Sequence, residues 1–370
     1  VLAGDRLEAA LRNWGRSHRF AGSKDRRAIG DLAYDIARRW WSTAVLGGGE
    51  AGRARILGYL RAQGIDPQTV FTGQGHSLST LQGAELLVPT DAVPMDFPPF
   101  LMAELERSVG DRLGELNAIM HQRAPVDIRV NIAKTSVADL QKLLMEAGFD
   151  ADPLGDVSTA LRISGSGRGL TNTDLFEAGL FELQDAGSQQ TVLFADPAPG
   201  AKVLDYCAGG GGKTLALGAL TKGRIDAHDI APRRMADLPK RAARAGVDAR
   251  LLSEGELEPA SYDLVFVDAP CSGSGSWRRD PYGKISLTPD RFERISAAQT
   301  SALEAASRYL HPKGRLAYVT CSVLKAENFD KIYQYIEGDG GLVSIGNLNP
   351  DIFADKDGFG ANILTSITNA

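Results

Sequence analysis

Two cysteines in the second half of the sequence occupy matching positions, and their chemistry could be nucleophilic. Cys271 ends the segment Asp-Ala-Pro-Cys and Cys321 lies within Thr-Cys-Ser, and each follows an apolar run typical of a buried strand. A thiolate is a strong nucleophile, so thiols at two strand ends could act as a nucleophile and a helper that face one cofactor. The third cysteine is distant in sequence, and there are only five histidines and no Cys-x-x-Cys, which argues against a disulfide framework and a zinc site.

A glycine-rich loop upstream of both cysteines has the composition of a cofactor site, because residues without Cβ let the backbone approach a ligand closely. Its candidate cofactor-binding residues are Cys207, Ala208, Gly209, Gly210, Gly211, Gly212 and Lys213. The ending Gly-Lys-Thr matches a P-loop, but Cys207 stands where the first glycine of that motif is required, so the P-loop interpretation fails. A dinucleotide-binding fingerprint and a purely structural turn remain open as alternatives.

Three aspartates follow predicted strands, where a carboxylate can reach a bound ligand. Asp229 lies 24 positions after Asp205, close to the separation of about 20 expected for an acid that binds a ribose hydroxyl. Nicotinamide and adenosyl cofactors both carry that ribose, so the spacing does not choose between them. Asp268 directly precedes the Ala-Pro-Cys segment and is a further candidate for the site.

The residues around these motifs predict alternating strands and helices, the pattern of a doubly wound α/β sheet. The predicted strands are Lys202–Asp205, Arg224–Asp229, Ala249–Leu252, Tyr262–Asp268 and Arg315–Thr320, and helices are predicted from Thr214, from Pro232 to Ala245 and after Pro289. In such sheets ligands bind beyond the carboxyl ends of the strands, which is where the cysteines and the three aspartates are placed.

Two further regions precede this sheet. Residues 100–185 predict a small α+β fold of the size of an RNA-recognition motif, with strands at 127–130, 160–163 and 180–183 and a helix that Ser136 caps. The beginning of the chain predicts helices, most clearly Lys24–Trp41 with Ser23 as the N-cap. The predicted domains are therefore 1–75, a linker at 76–99, 100–190 and 191–370.

Charge and composition limit the possible partners. The net charge is −5, but residues 1–64 hold 12 Lys and Arg against 6 Asp and Glu, so a basic head permits an RNA partner. Residues 277–282, Trp-Arg-Arg-Asp-Pro-Tyr, mix cations and rings as RNA contact requires, with a solvated loop as the alternative. No apolar run reaches the roughly 18 residues of a membrane span, and free thiols suit a reducing compartment. We expect a soluble cytoplasmic monomer.

Three motifs together resemble one enzyme family. The glycine loop, Asp263–Gly275 and Tyr318–Ser322 resemble, in this order, motifs of the Sun/Fmu (RsmB-like) family of S-adenosylmethionine-dependent RNA cytosine-5 methyltransferases. Ala124–Asn131 and Phe181–Ser188 are similar to its pre-catalytic region, and Arg19–Arg27 is similar to the NusB-like domain of its bacterial ribosomal RNA members. The resemblance implies a Rossmann-like doubly wound methyltransferase domain preceded by an RRM-like α+β subdomain and an N-terminal helical, NusB-like RNA-binding domain.

The resemblance also implies roles for individual residues. In this family the cysteine of the Thr-Cys motif adds to carbon-6 of cytosine so that carbon-5 can accept a methyl group, and the cysteine of Pro-Cys assists product release. Cys321 is then the nucleophile and Cys271 the helper, with Lys213 as a cation that favours the thiolate. Asp268 would hydrogen-bond the cytosine ring or contact the methionyl part of S-adenosylmethionine, and Asp229 would bind its ribose.

The sequence departs from the family pattern at two places in the cofactor site. Gly209-Gly210 replace Ala-Pro, which predicts a more flexible loop and weaker cofactor binding. Glu254 stands near the place of an aspartate that orients the adenine and is the expected substitute. Small-subunit ribosomal RNA is the expected substrate. The alternatives are transfer RNA, a DNA-type enzyme that attacks with the Pro-Cys thiol, a nicotinamide dehydrogenase and a non-catalytic RNA-binding or ribosome assembly factor.

Overall fold

The computed structural model describes residues 6–87, 89, 92–339, 341–349 and 351–366, so positions 88, 90 and 91 of the predicted linker lie outside the described residues. Its helices are α1 (Leu7–Ser17), α2 (Ser23–Arg38), α3 (Trp40–Gly47), α4 (Gly52–Ala62), α5 (Met102–Val109), α6 (Leu113–Met120), α7 (Val137–Glu146), α8 (Asp174–Glu177), α9 (Ala186–Ala195), α10 (Gly212–Thr221), α11 (Leu238–Ala245), α12 (Pro281–Ile285), α13 (Pro289–Ser307) and α14 (Phe329–Asp339). Its strands are β1 (Val126–Val130), β2 (Ala151–Pro153), β3 (Ala160–Ile163), β4 (Phe181–Leu183), β5 (Val203–Asp205), β6 (Ile225–Ala227), β7 (Ala249–Leu251), β8 (Tyr262–Asp268), β9 (Leu310–Thr320), β10 (Leu342–Leu348) and β11 (Gly360–Ser366). None of the helices in this described part combines the length and apolar character that a membrane crossing requires.

Contacts between residues divide the chain into two compact units. The helical unit comprises Val1–Arg123 and Trp277–Pro289, and the sheet unit comprises Ala124–Ser276 and Asp290–Ala370. Residues 100–123, which the sequence analysis assigned to the α+β subdomain, thus group with the N-terminal helices. The segment that follows the Cys271 loop groups with them as well.

Close packing holds the helical unit together. Gly58 of α4 lies against α3, and a Cβ atom at this position would be 1.9 Å from the carbonyl oxygen of Thr43, so only glycine allows this approach. The buried carboxylate of Asp96 accepts hydrogen bonds from the backbone N–H groups of Trp41 and Ser42 at 2.8 and 2.9 Å. These donors belong to the first turn of α3 and have no partner within the helix, so Asp96 satisfies that helix end.

The predicted helix Lys24–Trp41 is interrupted in the structure. Arg39, with φ −109° and ψ 41°, separates α2 from α3. The predicted N-cap Ser23 is wrong by one position, because Gly22 is the N-cap and its N–H donates to the Asp25 carboxylate at 2.9 Å. The apolar period continues across the break, so the sequence alone did not show it.

The prediction that residues 277–282 contact RNA is wrong for Trp277 and Arg278, whose exposed fractions are 1% and 0%. Arg38 Nε donates to the Arg278 carbonyl oxygen at 2.8 Å, and Lys284 Nζ donates to the Arg38 carbonyl oxygen at 2.7 Å. Burial lowers the pKa of Lys284 to about 7. These residues form part of the core of the helical unit rather than a solvated loop.

The sheet unit begins with an antiparallel sheet whose four strands, counted among the described residues, are ordered β2-β3-β1-β4. This order combined with the chain order β1-α7-β2-β3-α8-β4 is the ferredoxin-like arrangement. The predicted cap of α7 is confirmed, because Ser136 Oγ accepts a hydrogen bond from the Asp139 N–H at 3.1 Å. The α+β prediction for this region is therefore confirmed.

The second sheet of this unit contains, within the described ranges, seven strands in the order β10-β11-β9-β8-β5-β6-β7. The strands from β5 to β9 run parallel, and β11 is antiparallel to both of its neighbours. The chain moves outward from β5 to β6 and β7 and then returns to place β8 and β9 on the other side of β5. Ligands bind at such a reversal, beyond the carboxyl ends of the strands. The doubly wound prediction is confirmed, although β10 and β11 were not predicted.

Candidate active site

The two cysteines meet because their strands are neighbours. Asp268 of β8 lies opposite Val319 of β9, and just beyond the strand end the Ala269 N–H donates to the Val319 carbonyl oxygen at 2.8 Å. Cys271 and Cys321 therefore leave the same edge of the sheet, and their Sγ atoms lie 3.1 Å apart. Both are free thiols that are partly exposed. The structure thus brings the predicted nucleophile and the predicted helper into direct contact.

Lys213 supplies positive charge beside the thiols. Its Nζ donates to Asp268 Oδ2 at 2.7 Å and lies 4.9 Å from the ring centre of Phe359. Burial opposes the charged form, but the charge and the hydrogen bond of Asp268 outweigh it and raise the pKa of Lys213. Lys213 is therefore charged at neutral pH, and its charge interacts with Cys321.

The other thiol has a different electrostatic environment. Its hydrogen bond with Cys321, its burial and the negative charge of Glu327 raise the pKa of Cys271 well above the usual value. Cys271 therefore keeps its proton at neutral pH and can donate it to the sulfur of Cys321. The two thiols are close together but not equivalent.

The glycine loop makes a tight turn between β5 and α10. Gly211 has a φ of +80°, and a Cβ atom there would be 2.3 Å from Leu238 Cδ1, so both the conformation and the space require glycine. Gly209 has a φ of +51°, and its N–H donates to Asp229 Oδ2 at 2.9 Å. The loop thus presents bare backbone where a ligand can lie against it.

Two arginines hold the carbonyl groups of this loop. Arg129 Nη1 donates to the Gly212 carbonyl oxygen at 2.6 Å, and Arg241 donates to the Gly210 carbonyl oxygen. Arg241 also pairs with Glu182 at 3.0 Å. Burial lowers the pKa of Arg129 to about 10, so it stays charged at neutral pH. These contacts constrain a loop in which glycines replace the Ala-Pro of the family pattern.

Two buried aspartates flank the loop. Asp229 accepts the hydrogen bond from Gly209 and pairs with Arg234 at 3.1 Å. Asp205 Oδ2 accepts a hydrogen bond from Thr214 Oγ1 at 2.6 Å, whereas its Oδ1 has no hydrogen-bond partner among the residues described. Burial raises the pKa of Asp205 to about 7. An unsatisfied buried acceptor beside bare backbone fits a cofactor that carries both a cationic group and a ribose, as S-adenosylmethionine does.

The remaining predicted cofactor residues lie around the loop. Glu254 follows β7 in a short 3-10 turn, and its charge adds to the effect of burial in raising the pKa of Tyr206. Burial raises the pKa of Cys207, which packs against the core and is an unreactive thiol. The Ala208 N–H donates to the His228 carbonyl oxygen at 2.9 Å. The described part of the chain contains no group of three or more His, Cys, Asp or Glu that could hold a metal ion.

A buried carboxylate that was not predicted from the sequence lies beneath the cysteines. Glu327 is 1% exposed and accepts hydrogen bonds from Ser272 and Ser322, the residues that directly follow the two cysteines. A serine after each cysteine was the available signal. The sequence contains 46 Asp and Glu, and no local pattern shows which of them folds back to bind those serines.

The fold and the site together define a class of protein. A sheet that reverses at β5, a glycine loop after β5 and an acid after β6 form the cofactor half of a Rossmann-like fold. Hydride transfer to or from a nicotinamide does not itself need two thiols, whereas the pair at the ends of β8 and β9 can supply a nucleophile for group transfer. The class is therefore that of Rossmann-like methyltransferases with a cysteine pair.

Family models identify the particular family. A model described as 16S rRNA methyltransferase RsmB/F matches residues 192–344, and a model described as the ferredoxin-like domain of RsmF/B-like methyltransferases matches residues 97–168. The chain belongs to the RsmB/F methyltransferase family, as its motifs predicted. This membership confirms the prediction of S-adenosylmethionine as the cofactor.

Individual proteins agree with this assignment. Ribosomal RNA small subunit methyltransferase B of Erwinia tasmaniensis is 30% identical over 273 residues, which are 70% of this chain and 63% of that protein. The chain spans about 60% of the length of the first such relatives. A methyltransferase homologue from Pyrococcus horikoshii is 27% identical, with a TM-score of 0.64 over 73% of this chain and 96% of that one. The crystal structure of PH0851, at 22% identity, has the same fold with a TM-score of 0.80 over 97% of this chain and 94% of that chain.

Asp229→Ala is expected to weaken the binding of S-adenosylmethionine by about 10- to 100-fold, because the acceptor predicted for the ribose is removed and Gly209 loses the partner of its N–H. Isothermal titration calorimetry measures the affinity directly. Asp226→Ala is not a suitable control, because Asp226 accepts a hydrogen bond from buried Tyr262. Asp237→Ala, which alters an exposed acid just before α11, is the matched control and should bind normally. An unchanged affinity in Asp229→Ala would contradict the assigned role.

Proposed function

We propose that this chain transfers a methyl group from S-adenosylmethionine to carbon-5 of a cytosine in small-subunit ribosomal RNA, in the cytoplasm, through a covalent cysteine–cytosine adduct. The observation that carries the proposal is the pair of Sγ atoms 3.1 Å apart beside the Lys213–Asp268 ion pair of 2.7 Å. The RNA assignment is supported by relatives that are named ribosomal RNA small subunit methyltransferases.

Covalent attack solves the chemical problem that carbon-5 of cytosine is a weak nucleophile. Cys321 Sγ forms a bond to carbon-6, and a ring electron pair becomes available at carbon-5. S-adenosylmethionine, when bound, supplies an electrophilic methyl group that this electron pair can attack. The methyl transfer releases S-adenosylhomocysteine as the leaving group. The carbon-5 proton is then lost to solvent, its bonding pair forms the carbon-5–carbon-6 double bond again, and the bond from carbon-6 to sulfur breaks to expel the Cys321 thiolate.

Lys213 and Asp268 prepare the nucleophile and the substrate. The charged Lys213 interacts electrostatically with Cys321 and places a cation beside the attacking sulfur. The Asp268 side chain is 32% exposed, whereas that of Lys213 is 10% exposed. The Asp268 carboxylate is therefore partly accessible and can accept a hydrogen bond from the cytosine ring while its Oδ2 accepts the hydrogen bond from Lys213.

Cys271 assists the reaction because it keeps its proton. A thiol that lies 3.1 Å from Cys321 Sγ can donate a hydrogen bond to it, which stabilises the thiolate. That stabilisation matters most when the thiolate is the leaving group, at the step that releases the methylated RNA. This arrangement supports Cys321 as the nucleophile and Cys271 as the residue that aids product release.

The helical unit carries a surface suited to single-stranded RNA. A groove of about 610 Å³ is lined by Leu11, Arg12, Gly15, Arg16, Arg19 and Arg26. Next to these arginines in sequence, His18 stacks on Trp14 with ring centres 4.7 Å apart, and Phe20 is 84% exposed. Arginines neutralise phosphates and exposed rings stack on unpaired bases, so the surface combines both requirements.

The double substitution Arg16→Glu and Arg19→Glu is expected to lower RNA affinity by at least about tenfold and to reduce the salt dependence of binding, because two phosphate contacts are lost. Fluorescence anisotropy with a labelled ribosomal RNA fragment at several salt concentrations measures both effects. Arg107→Glu with Arg112→Glu makes the same change in charge at two exposed ion pairs and is the control. Equal weakening by the two double variants would contradict a specific groove.

The proposed function is tested by following both the methyl group and the carbon-5 proton. Small-subunit ribosomal RNA transcribed with [5-³H]cytidine is incubated with the protein and S-adenosylmethionine that carries a deuterated methyl group. We expect labelled 5-methylcytidine in the digested nucleosides and one released tritium for each methyl transferred. Label in another nucleoside would contradict carbon-5 chemistry, and methylation of transfer RNA alone would contradict the ribosomal substrate.

A further inference from the structure

The Glu327 carboxylate is a buried junction between the two cysteine loops. It is 1% exposed and accepts hydrogen bonds from the Ser272 N–H at 2.7 Å, from the hydroxyl groups of Ser272 and Ser322, and from Gln299 Nε2 at 3.1 Å. Ser272 follows Cys271 and Ser322 follows Cys321, so each cysteine is directly followed by a residue that donates a hydrogen bond to this carboxylate.

Other bonds tie the same two loops together around this centre. Ser274 Oγ lies 2.8 Å from Ser322 Oγ and accepts a hydrogen bond from the Val323 N–H at 3.0 Å. The Gly275 N–H donates to the Cys321 carbonyl oxygen at 3.0 Å. The partly exposed thiols therefore lie at the surface end of a polar network, and the buried Glu327 carboxylate accepts hydrogen bonds at its other end.

The charge of Glu327 acts on Cys271. Burial raises the pKa of Glu327, but four donors favour its ionised form, and its negative charge contributes to the raised pKa of Cys271. Lys213 places positive charge near Cys321. Besides the thiols themselves, the ionisable groups that face this cluster among the described residues include Glu327, Lys213 with its partner Asp268, Tyr318 and Lys331.

We propose that Glu327 is a positioning residue whose buried carboxylate holds both cysteine loops in place and brings a negative charge close to Cys271. This inference rests on the proposed cysteine chemistry. The hydrogen-bond partners of the Glu327 carboxylate, among the described residues, are Ser272, Ser322 and Gln299, so it acts on the thiols through the loops and through its charge.

The test compares Glu327→Gln, which keeps the size of the side chain and removes its charge, with the wild type and with Glu304→Gln, a control at an exposed site on α13. Alkylation by iodoacetamide is measured from pH 6 to pH 10 without RNA or cofactor, and peptide mass spectrometry follows Cys271 and Cys321 separately. We expect Cys271 to be alkylated at least about threefold faster at a given pH in Glu327→Gln only, because the loss of a nearby negative charge increases the fraction of this thiol that is ionised. An unchanged Cys271 profile would overturn the proposal.

A second variant separates the charge from the geometry. Glu327→Asp keeps the charge but shortens the side chain, so the Cys271 profile should stay near that of the wild type, while the rate of methyl transfer falls by at least about tenfold at unchanged RNA KM. Wild-type methylation rates in Glu327→Asp would overturn the positioning role. Alkylation requires neither RNA nor methyl transfer, so the alkylation result remains valid even if the protein does not methylate RNA. Failure of this inference and failure of the proposed function can therefore be told apart. If Glu327→Gln does not fold, the Asp variant still decides the positioning role.

Discussion

Cys321→Ser is expected to lower the rate of methyl transfer by at least about 10³-fold, because the covalent step loses its nucleophile. A serine hydroxyl ionises far above neutral pH, and the single charge of the neighbouring Lys213 cannot produce an alkoxide. The rate is measured in a single turnover with radiolabelled S-adenosylmethionine and ribosomal RNA. The readout is methyl incorporation with enzyme in excess, so slow product release does not mask the chemical step.

The affinity for S-adenosylmethionine provides the control for Cys321→Ser. The cofactor loop lies after β5 and the substituted residue lies after β9, so calorimetry should give the wild-type affinity. Loss of both activity and binding would indicate a folding defect instead. Substantial methyl transfer by Cys321→Ser with intact cofactor binding would contradict its assignment as the nucleophile.

Cys271→Ser is expected to retain the first methyl transfer and to lose turnover by at least about 100-fold, because the enzyme remains attached to its methylated product. In the proposed mechanism the Cys271 thiol, 3.1 Å from Cys321 Sγ, stabilises the departing thiolate. A serine hydroxyl fills this role poorly, because its oxygen lies closer to its own Cβ and therefore farther from that sulfur. Comparison of the burst amplitude with the steady-state rate measures the two quantities. The expected burst is close to one methyl group per enzyme.

The outcome of the double variant distinguishes the two roles further. Cys271→Ser combined with Cys321→Ser should give neither burst nor adduct, since the attachment requires the Cys321 sulfur. A normal steady-state rate for Cys271→Ser would show that this thiol has no part in product release.

Local motifs in the sequence were sufficient to predict which residues lie at the strand ends that form the site. Apolar runs before Cys271 and Cys321 placed both at carboxyl ends of strands, and parallel strands present such ends at one edge of a sheet. The contact itself requires β8 and β9 to be neighbours, which the structure shows through the register of Asp268 with Val319. The apolar runs therefore predicted that both cysteines lie at one edge of the sheet. That they touch follows only from the strand order in the structure.

The rest depended on long-range packing. Trp277 and Arg278 have the composition of an RNA contact, yet both are buried in the helical unit. Glu327 lies six positions after Cys321 without any motif of its own, and its role follows from bonds to a serine 55 positions earlier. Antiparallel β10 and β11 were missed because their sequences lack a strong apolar run, and pairing with β9 stabilises them.

The most direct test of the central claim is a denaturing gel of the wild type, Cys271→Ser and Cys321→Ser after incubation with S-adenosylmethionine and unmodified small-subunit ribosomal RNA. A covalent protein–RNA band that is retained in Cys271→Ser and absent from Cys321→Ser is the predicted result. A band that disappears only when Cys271 is replaced would contradict the account, because it would make Cys271 the nucleophile.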